Sequence, residues 1–302
     1  MKKFTKILLI GCLLVTVSCN NWLDVDPKSQ VKDKDLFASE MGFKEALSGV
    51  YSLMTKEALY GKELTFGWLG VLGQEWTSVP YNYEDDQKYD FENAASEVRI
   101  DSVWTGLYNA IANANKLLKE LEGKENLFSG DNYFIIKGEV LALRAYLHFD
   151  LLRIFGASCT VGMERIAIPY VTEYAPTIFP QEKVGDFVGK VLKDLQDAAK
   201  CLENDPILTG RTVSEIDDNL MNRQVHLNYY AVKGLMARVY LYKGDYANAE
   251  VCAKEVIGSG CFEWVKQENL TNESVADLTF STEHLFALNI VTLGNIVDKY
   301  LD

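Results

Sequence analysis

Proline is absent between Pro80 and Pro169 and again after Pro206, so long stretches of this 302-residue chain meet no helix breaker. Histidine is scarcer still. His148, His226 and His284 stand far apart in sequence, and no cysteine pair has CxxC spacing, so no metal-ligand motif can be read. Cys159, Cys201, Cys252 and Cys261 are expected to be mostly buried thiols. Positive charge is also short: 30 Lys and Arg against 43 Asp and Glu leave −13, and near −16 once three leader lysines are removed. That excess excludes nucleic acid, whose phosphates would be repelled, and a polybasic membrane patch. There is no Walker-type loop, no GxSxG elbow, no HExxH and no grouping of nucleophile with base. The acidic runs Glu84-Asp85-Asp86 and Asp217-Asp218 read as solvated surface, because glycoside hydrolysis needs two carboxyls at opposed positions. Neither catalysis nor a metal or cofactor is expected.

The apolar run Ile7 to Val17 is too short to span a bilayer, which takes about 20 residues. It follows Lys2, Lys3 and Lys6 and closes on Ser18-Cys19 and the polar Asn20-Asn21. A basic start, a short apolar core and a small residue before cysteine form the layout of a bacterial lipoprotein export signal. Residues 1–18 are read as that signal, and Cys19 as the acylated new N-terminus, carrying palmitate or a similar chain. Cleavage at Cys12 would leave only Ile7 to Ile10 as the core. The remaining chain, 48% hydrophobic and 12% aromatic overall, is not disordered despite its acidity.

Helical periodicity dominates the interior. Trp104, Leu107, Tyr108, Ile111, Leu118 and Leu121 share one side, with Asp101 or Ser102 as N-cap. Val140, Leu143, Leu147, Leu151 and Ile154 repeat the spacing up to Gly156, and Val184 to Leu202 is a further amphipathic run. Another helix spans about Leu36 to Met54. The clearest unit is a hairpin from Tyr229 to Ile257 that turns at Gly244-Asp245-Tyr246, with Ala237 and Ala249 allowing close approach and Tyr240 and Tyr246 filling the wedge. It is similar to a tetratricopeptide hairpin, which cannot bury its apolar side alone and so must stack. The predicted fold is mainly α, built of stacked tetratricopeptide-like hairpins, with an irregular section from about Tyr60 to Val98.

Five segments in order carry a family resemblance. Cys19-Asn-Asn-Trp-Leu-Asp-Val-Asp-Pro27, the helix Gly138 to Gly156 with Arg144-Ala145, Ile168-Pro169 to Glu173, the hairpin Ala237 to Ala249, and Ser281 to Phe286 together resemble the SusD/RagB family of outer-membrane nutrient-binding lipoproteins. The resemblance covers about Cys19 to Phe286. It implies that 19–302 is the N-terminal part of the family fold, since members continue into a C-terminal portion that helps build the ligand site. It also implies a surface-exposed, lipid-anchored protein of the outer membrane that binds glycan, or in some members peptide, and hands it to a SusC-like TonB-dependent transporter. A helical-repeat lipoprotein that only scaffolds an envelope complex is the rival reading.

Ligand candidates lie in the irregular section: Trp68, Trp76, Tyr81, Asn82, Tyr83 and Tyr89. Aromatic rings stack on the C–H face of a sugar while amides bond its hydroxyls. Covering ~100 Å² per ring at roughly 25 cal/mol/Å² gives about 2.5 kcal/mol for each platform. Association costs offset much of that, so micromolar to millimolar affinity follows. Trp68 and Trp76 read equally well as core beneath the loop. Tyr81 and Tyr83, flanked by Pro80 and three acids, read as exposed. Arg144 is expected to pair inside the bundle, His148 to be a satisfied core histidine, and Tyr229, Tyr230, Tyr240, Tyr242 and Tyr246 to be packing residues. Asp101-Ser102-Val103 fits both a bacterial O-glycosylation pattern and an N-cap.

Overall fold

Helix-forming periodicity becomes a stack of paired helices in the computed structural model, which describes residues 34–209, 221–272 and 276–301. The leader, Cys19, the segment to Pro27 and Asp217-Asp218 lie outside the described residues. Helix α1 (Glu40–Met54) starts where the Ser39 side chain accepts the Gly42 N–H, and it buries Phe43, Leu47, Val50 and Met54 along one stripe. A short α2 (Trp68–Leu72) follows, then the 28-residue α3 (Ala94–Leu121).

The start of α3 differs from expectation. Asn93, not Asp101 or Ser102, is the N-cap: its Oδ1 accepts the N–H groups of Ala95 and Ser96 at 3.0 Å each, and its Nδ2 donates to Ser96 Oγ. Ser102 sits inside the helix and donates back to the Val98 carbonyl. Local side-chain bonding at Asn93 satisfies the free helical N–H groups two turns earlier, so the irregular section ends there.

Next come α4 (Asn132–Phe155) and α5 (Val184–Cys201). Helix α4 is buried on nearly every side, which explains why its sequence lacks a clean polar face. It packs against α3 on one flank and α5 on the other, and α5 in turn packs against α6 (Tyr229–Lys243). Gly138 permits the α4–α5 approach, since a Cβ there would lie 2.7 Å from Leu202 Cγ and 3.0 Å from the Ala198 carbonyl oxygen. Helix α6 pairs with α7 (Tyr246–Ile257) across Gly244, whose φ of 82° favours glycine. The expected hairpin is therefore present, with one correction. Tyr246 is 70% exposed and fills no wedge, because it is the first residue of α7 and stands clear of the α6 contact. A final described helix, α8 (Leu293–Leu301), follows.

The order of contacts, α1 on α3, α3 on α4, α4 on α5, α5 on α6 and α6 on α7, makes the fold mainly α and stacked. No strand occurs among the described residues beyond one antiparallel bridge between Ile166 and Lys183. No described helix is long and apolar enough to cross a membrane. The four described cysteines are free, but only Cys252 is fully buried. Cys261 is exposed because it follows the end of α7, outside the packed layers.

Buried charges join the layers. Arg144 of α4 pairs with Asp194 of α5, and His148 is fully buried with both ring nitrogens bonded, Nδ1 to the Arg144 carbonyl and Nε2 to the Val171 N–H. Glu139 accepts from Tyr51 of α1, from Arg223 and from His226 Nδ1, while Arg223 also forks onto Asp205. These pairs satisfy the expectations for Arg144 and His148.

Candidate functional site

The segment between α1 and α3 is irregular in trace but tightly wired. Turns lead from Thr55 to Gly67, α2 follows, and two helical turns, Tyr81–Tyr83 and Glu84–Gln87, precede Asn93. Two buried carboxylates organise it. Glu63 accepts the Trp68 backbone N–H and the Tyr83 hydroxyl at 2.8 and 3.0 Å. Asp86, fully buried, accepts the Trp68 indole N–H at 3.0 Å and is paired with Arg99 of α3.

Charge balance within the segment is close. Arg99 also donates to the Asn82 carbonyl and lies 4.0 Å from the Tyr83 ring centre. Lys62 sits 2.9 Å from Glu63. Burial pushes the Tyr83 hydroxyl up to about 12, and the neighbouring Glu63 carboxylate pushes the same way. Burial alone would lower Lys62, but its hydrogen bond to Glu63 outweighs that and holds the ammonium charged.

This wiring decides which nominated residues face outward. Trp76 is half-buried, its indole N–H fixed to the Phe66 carbonyl at 2.9 Å. Tyr81 is 88% exposed and Asn82 is exposed beside it. Tyr89 is exposed, with its hydroxyl bonded to the Leu72 carbonyl at 2.9 Å. Trp68 is core, as one of its two readings had it. Tyr83 corrects the expectation: it is 4% exposed, because its hydroxyl is drawn inward to Glu63 and its ring is covered by the Arg99 guanidinium.

Three hollows border the segment, one of about 510 Å³ lined by Glu63, Asn82 and Arg99 and two more with aromatic walls. The smaller, about 150 Å³, is lined by Val71, Trp76, Val79, Pro80, Tyr83 and, from α8, Tyr300. The Lys62 ammonium lies 4.0 Å from the Tyr300 ring centre, and the Tyr300 hydroxyl donates to Glu57. The larger, about 710 Å³, opens where the segment meets α4 and α6, and its walls include Trp68, Phe91, Tyr146, Phe155, Arg153 and Arg238. Sequence reasoning did not nominate this second hollow. Its residues come from the segment, α3, α4 and α6, and only the stacked helices bring Arg153 and Arg238 to one hollow. No group of His, Cys, Asp and Glu among the described residues is placed to hold a metal ion.

Residues 21–241 match a SusD-like family model described as starch-binding, associating with outer membrane. The chain is 24% identical over 267 residues to SusD-like protein P38 of Formosa agariphila, covering 87% of this chain and 47% of that protein. It spans about half the length of the curated relatives it matches. Among solved structures, a SusD superfamily protein from Bacteroides thetaiotaomicron superposes with a TM-score of 0.62 at 22% identity, over 78% of this chain and 50% of that one. A laminarin-binding SusD-like protein gives a TM-score of 0.58 at 20% identity, over 79% and 50% respectively.

Proposed function

This chain belongs to the SusD-like family, and from that membership we propose that it captures extracellular glycan at the outer membrane and delivers it to a TonB-dependent transporter without chemical conversion. In this reading, residues 1–18 direct export, Cys19 carries the lipid anchor, and 19–302 forms one helical-repeat unit. The laminarin-binding neighbour supports a saccharide as ligand. The observation that carries the reading is the fixed pose of Trp76. Its indole is locked to the Phe66 carbonyl while its ring lines a hollow whose wall also includes Pro80, the neighbour in sequence of the exposed Tyr81.

Magnitudes shape the binding mode. At about 150 Å³ the hollow is smaller than the roughly 300–1,000 Å³ of sites that enclose a ligand, so a glycan would lie across it. Stacking on Trp76 and Tyr81, with amide contact from Asn82, fits weak capture and ready release. The net charge of −13 repels nucleic acid phosphates and disfavours such a partner.

A polysaccharide panel in affinity gel electrophoresis tests the proposal. Retardation by at least one neutral glucan, reduced by Trp76→Ala, is the expected result. No retardation by any glycan, together with co-purification of an envelope partner, would favour a scaffold. Release of glycan fragments by the purified chain would make it an enzyme.

A further inference from the structure

We propose that the larger hollow is a second saccharide site, separate from Trp76, that takes an acidic sugar through Arg153 and Arg238. The inference rests on glycan binding as the general function and adds a position and a ligand class. At about 710 Å³ this hollow lies inside the size range of sites that enclose a ligand, unlike the smaller one. Its accessible apolar walls are Phe91, Tyr146 and Phe155, which offer faces and edges for the C–H surface of a pyranose, while Trp68 also lines the hollow but is itself buried.

The charge at the rim selects the ligand. Arg153 of α4 and Arg238 of α6 both line the hollow, and both guanidiniums lie near the Phe149 ring, at 5.7 and 5.8 Å from its centre. One carboxylate faces them: Asp150, which bonds Arg153 at 3.1 Å and accepts the Tyr60 hydroxyl at 2.8 Å. Arg238 approaches the Tyr146 hydroxyl and has no carboxylate partner among the described residues. The hollow thus carries a local positive excess in a chain whose net charge is −13. Guanidinium forks match carboxylate and sulfate oxygens two at a time, and both helices hold their arginines on rigid backbone. A sugar bearing one such anion, ring against the aromatic wall and oxygens toward Arg238, satisfies both halves of the hollow.

The test uses the full chain with three probes of matched length: an oligouronate, a sulfated β-glucan and a neutral β-glucan. Isothermal titration at low salt should show the oligouronate or the sulfated glucan bound, with affinity falling as salt rises. Which of the two binds assigns carboxylate or sulfate. Arg238→Gln, at an exposed position, should weaken that binding at least tenfold while leaving the neutral glucan and the melting temperature unchanged. Arg153→Gln provides a second reading of the same contact. Neutral glucan bound but no acidic probe, or an acidic probe bound equally by Arg238→Gln, overturns this inference and leaves the general function standing. Binding of none of the three overturns both.

Discussion

Arg144 and Asp194 meet in a two-pronged ion pair, Nε to Oδ2 and Nη2 to Oδ1 at 2.7 Å each, that fastens α4 to α5. Both side chains are about nine-tenths buried, and the remaining valences are filled: Asn115 accepts from Arg144, and Tyr170 donates to Asp194. Removing one partner strands the other charge in the core. Asp194→Ala is therefore expected to cost about 3–5 kcal/mol in urea unfolding, and Arg144→Lys less, since a single ammonium keeps the charge and loses the fork.

Acid should weaken the fold in two stages. Burial holds His148 neutral, with its affinity for a proton lowered from 6.5 to about 3. The unfolded chain then binds a proton that the folded chain refuses. The stabilisation is full above about 6.5 and is lost as pH falls from there toward 3, at up to about 1.4 kcal/mol per pH unit. Burial alone would raise Glu139, but Arg223 and His226 hold it down to about 2, so its contribution is lost between about 4.5 and 2. Urea titrations across pH 7 to 4 should show the first slope in the native chain and a smaller one in His148→Asn.

Two tyrosines two residues apart should behave oppositely. Tyr83→Phe removes the hydroxyl that reaches Glu63 and should cost about 1–3 kcal/mol in stability with glycan binding little altered. Tyr81→Ala removes an exposed ring and should weaken binding several-fold at unchanged melting temperature. Thermal melts beside glycan titrations separate the two.

Glycine substitutions give a matched pair inside helices. Gly138→Ala pushes a methyl onto Leu202 and the Ala198 carbonyl, and should destabilise by about 1–3 kcal/mol through overpacking of α4 on α5. Gly49→Ala on α1 meets nothing within 4 Å and should stabilise by about 0.5–1 kcal/mol. Denaturant midpoints of the two variants check both signs.

Helices were legible wherever one apolar stripe and one turn signal coincided, as in the Gly244 hairpin and in α5. Helix α4 was legible in extent near its end at Gly156 but not at its start, because burial on every side leaves no polar face to mark where packing begins. The start of α3 had a local signal in Asn93 and Ser96 that apolar spacing alone passes over. Tyr83 was misplaced for a different reason. Its burial depends on Glu63, twenty positions away, and on Arg99 from α3, and pairings of that range leave no periodic trace. The larger hollow is hidden in the same way, since Arg153 and Arg238 line one hollow only after α4 and α6 share a neighbour.

Asp205 and Arg223, eighteen positions apart, are joined by two hydrogen bonds and locked onto Glu139 beneath them. Arg223 thereby serves two buried carboxylates that lie 66 positions apart in sequence. Replacing it with an uncharged residue would take the guanidinium from both carboxylates at once, so a single substitution should unfasten α4 from the segment that leads into α6.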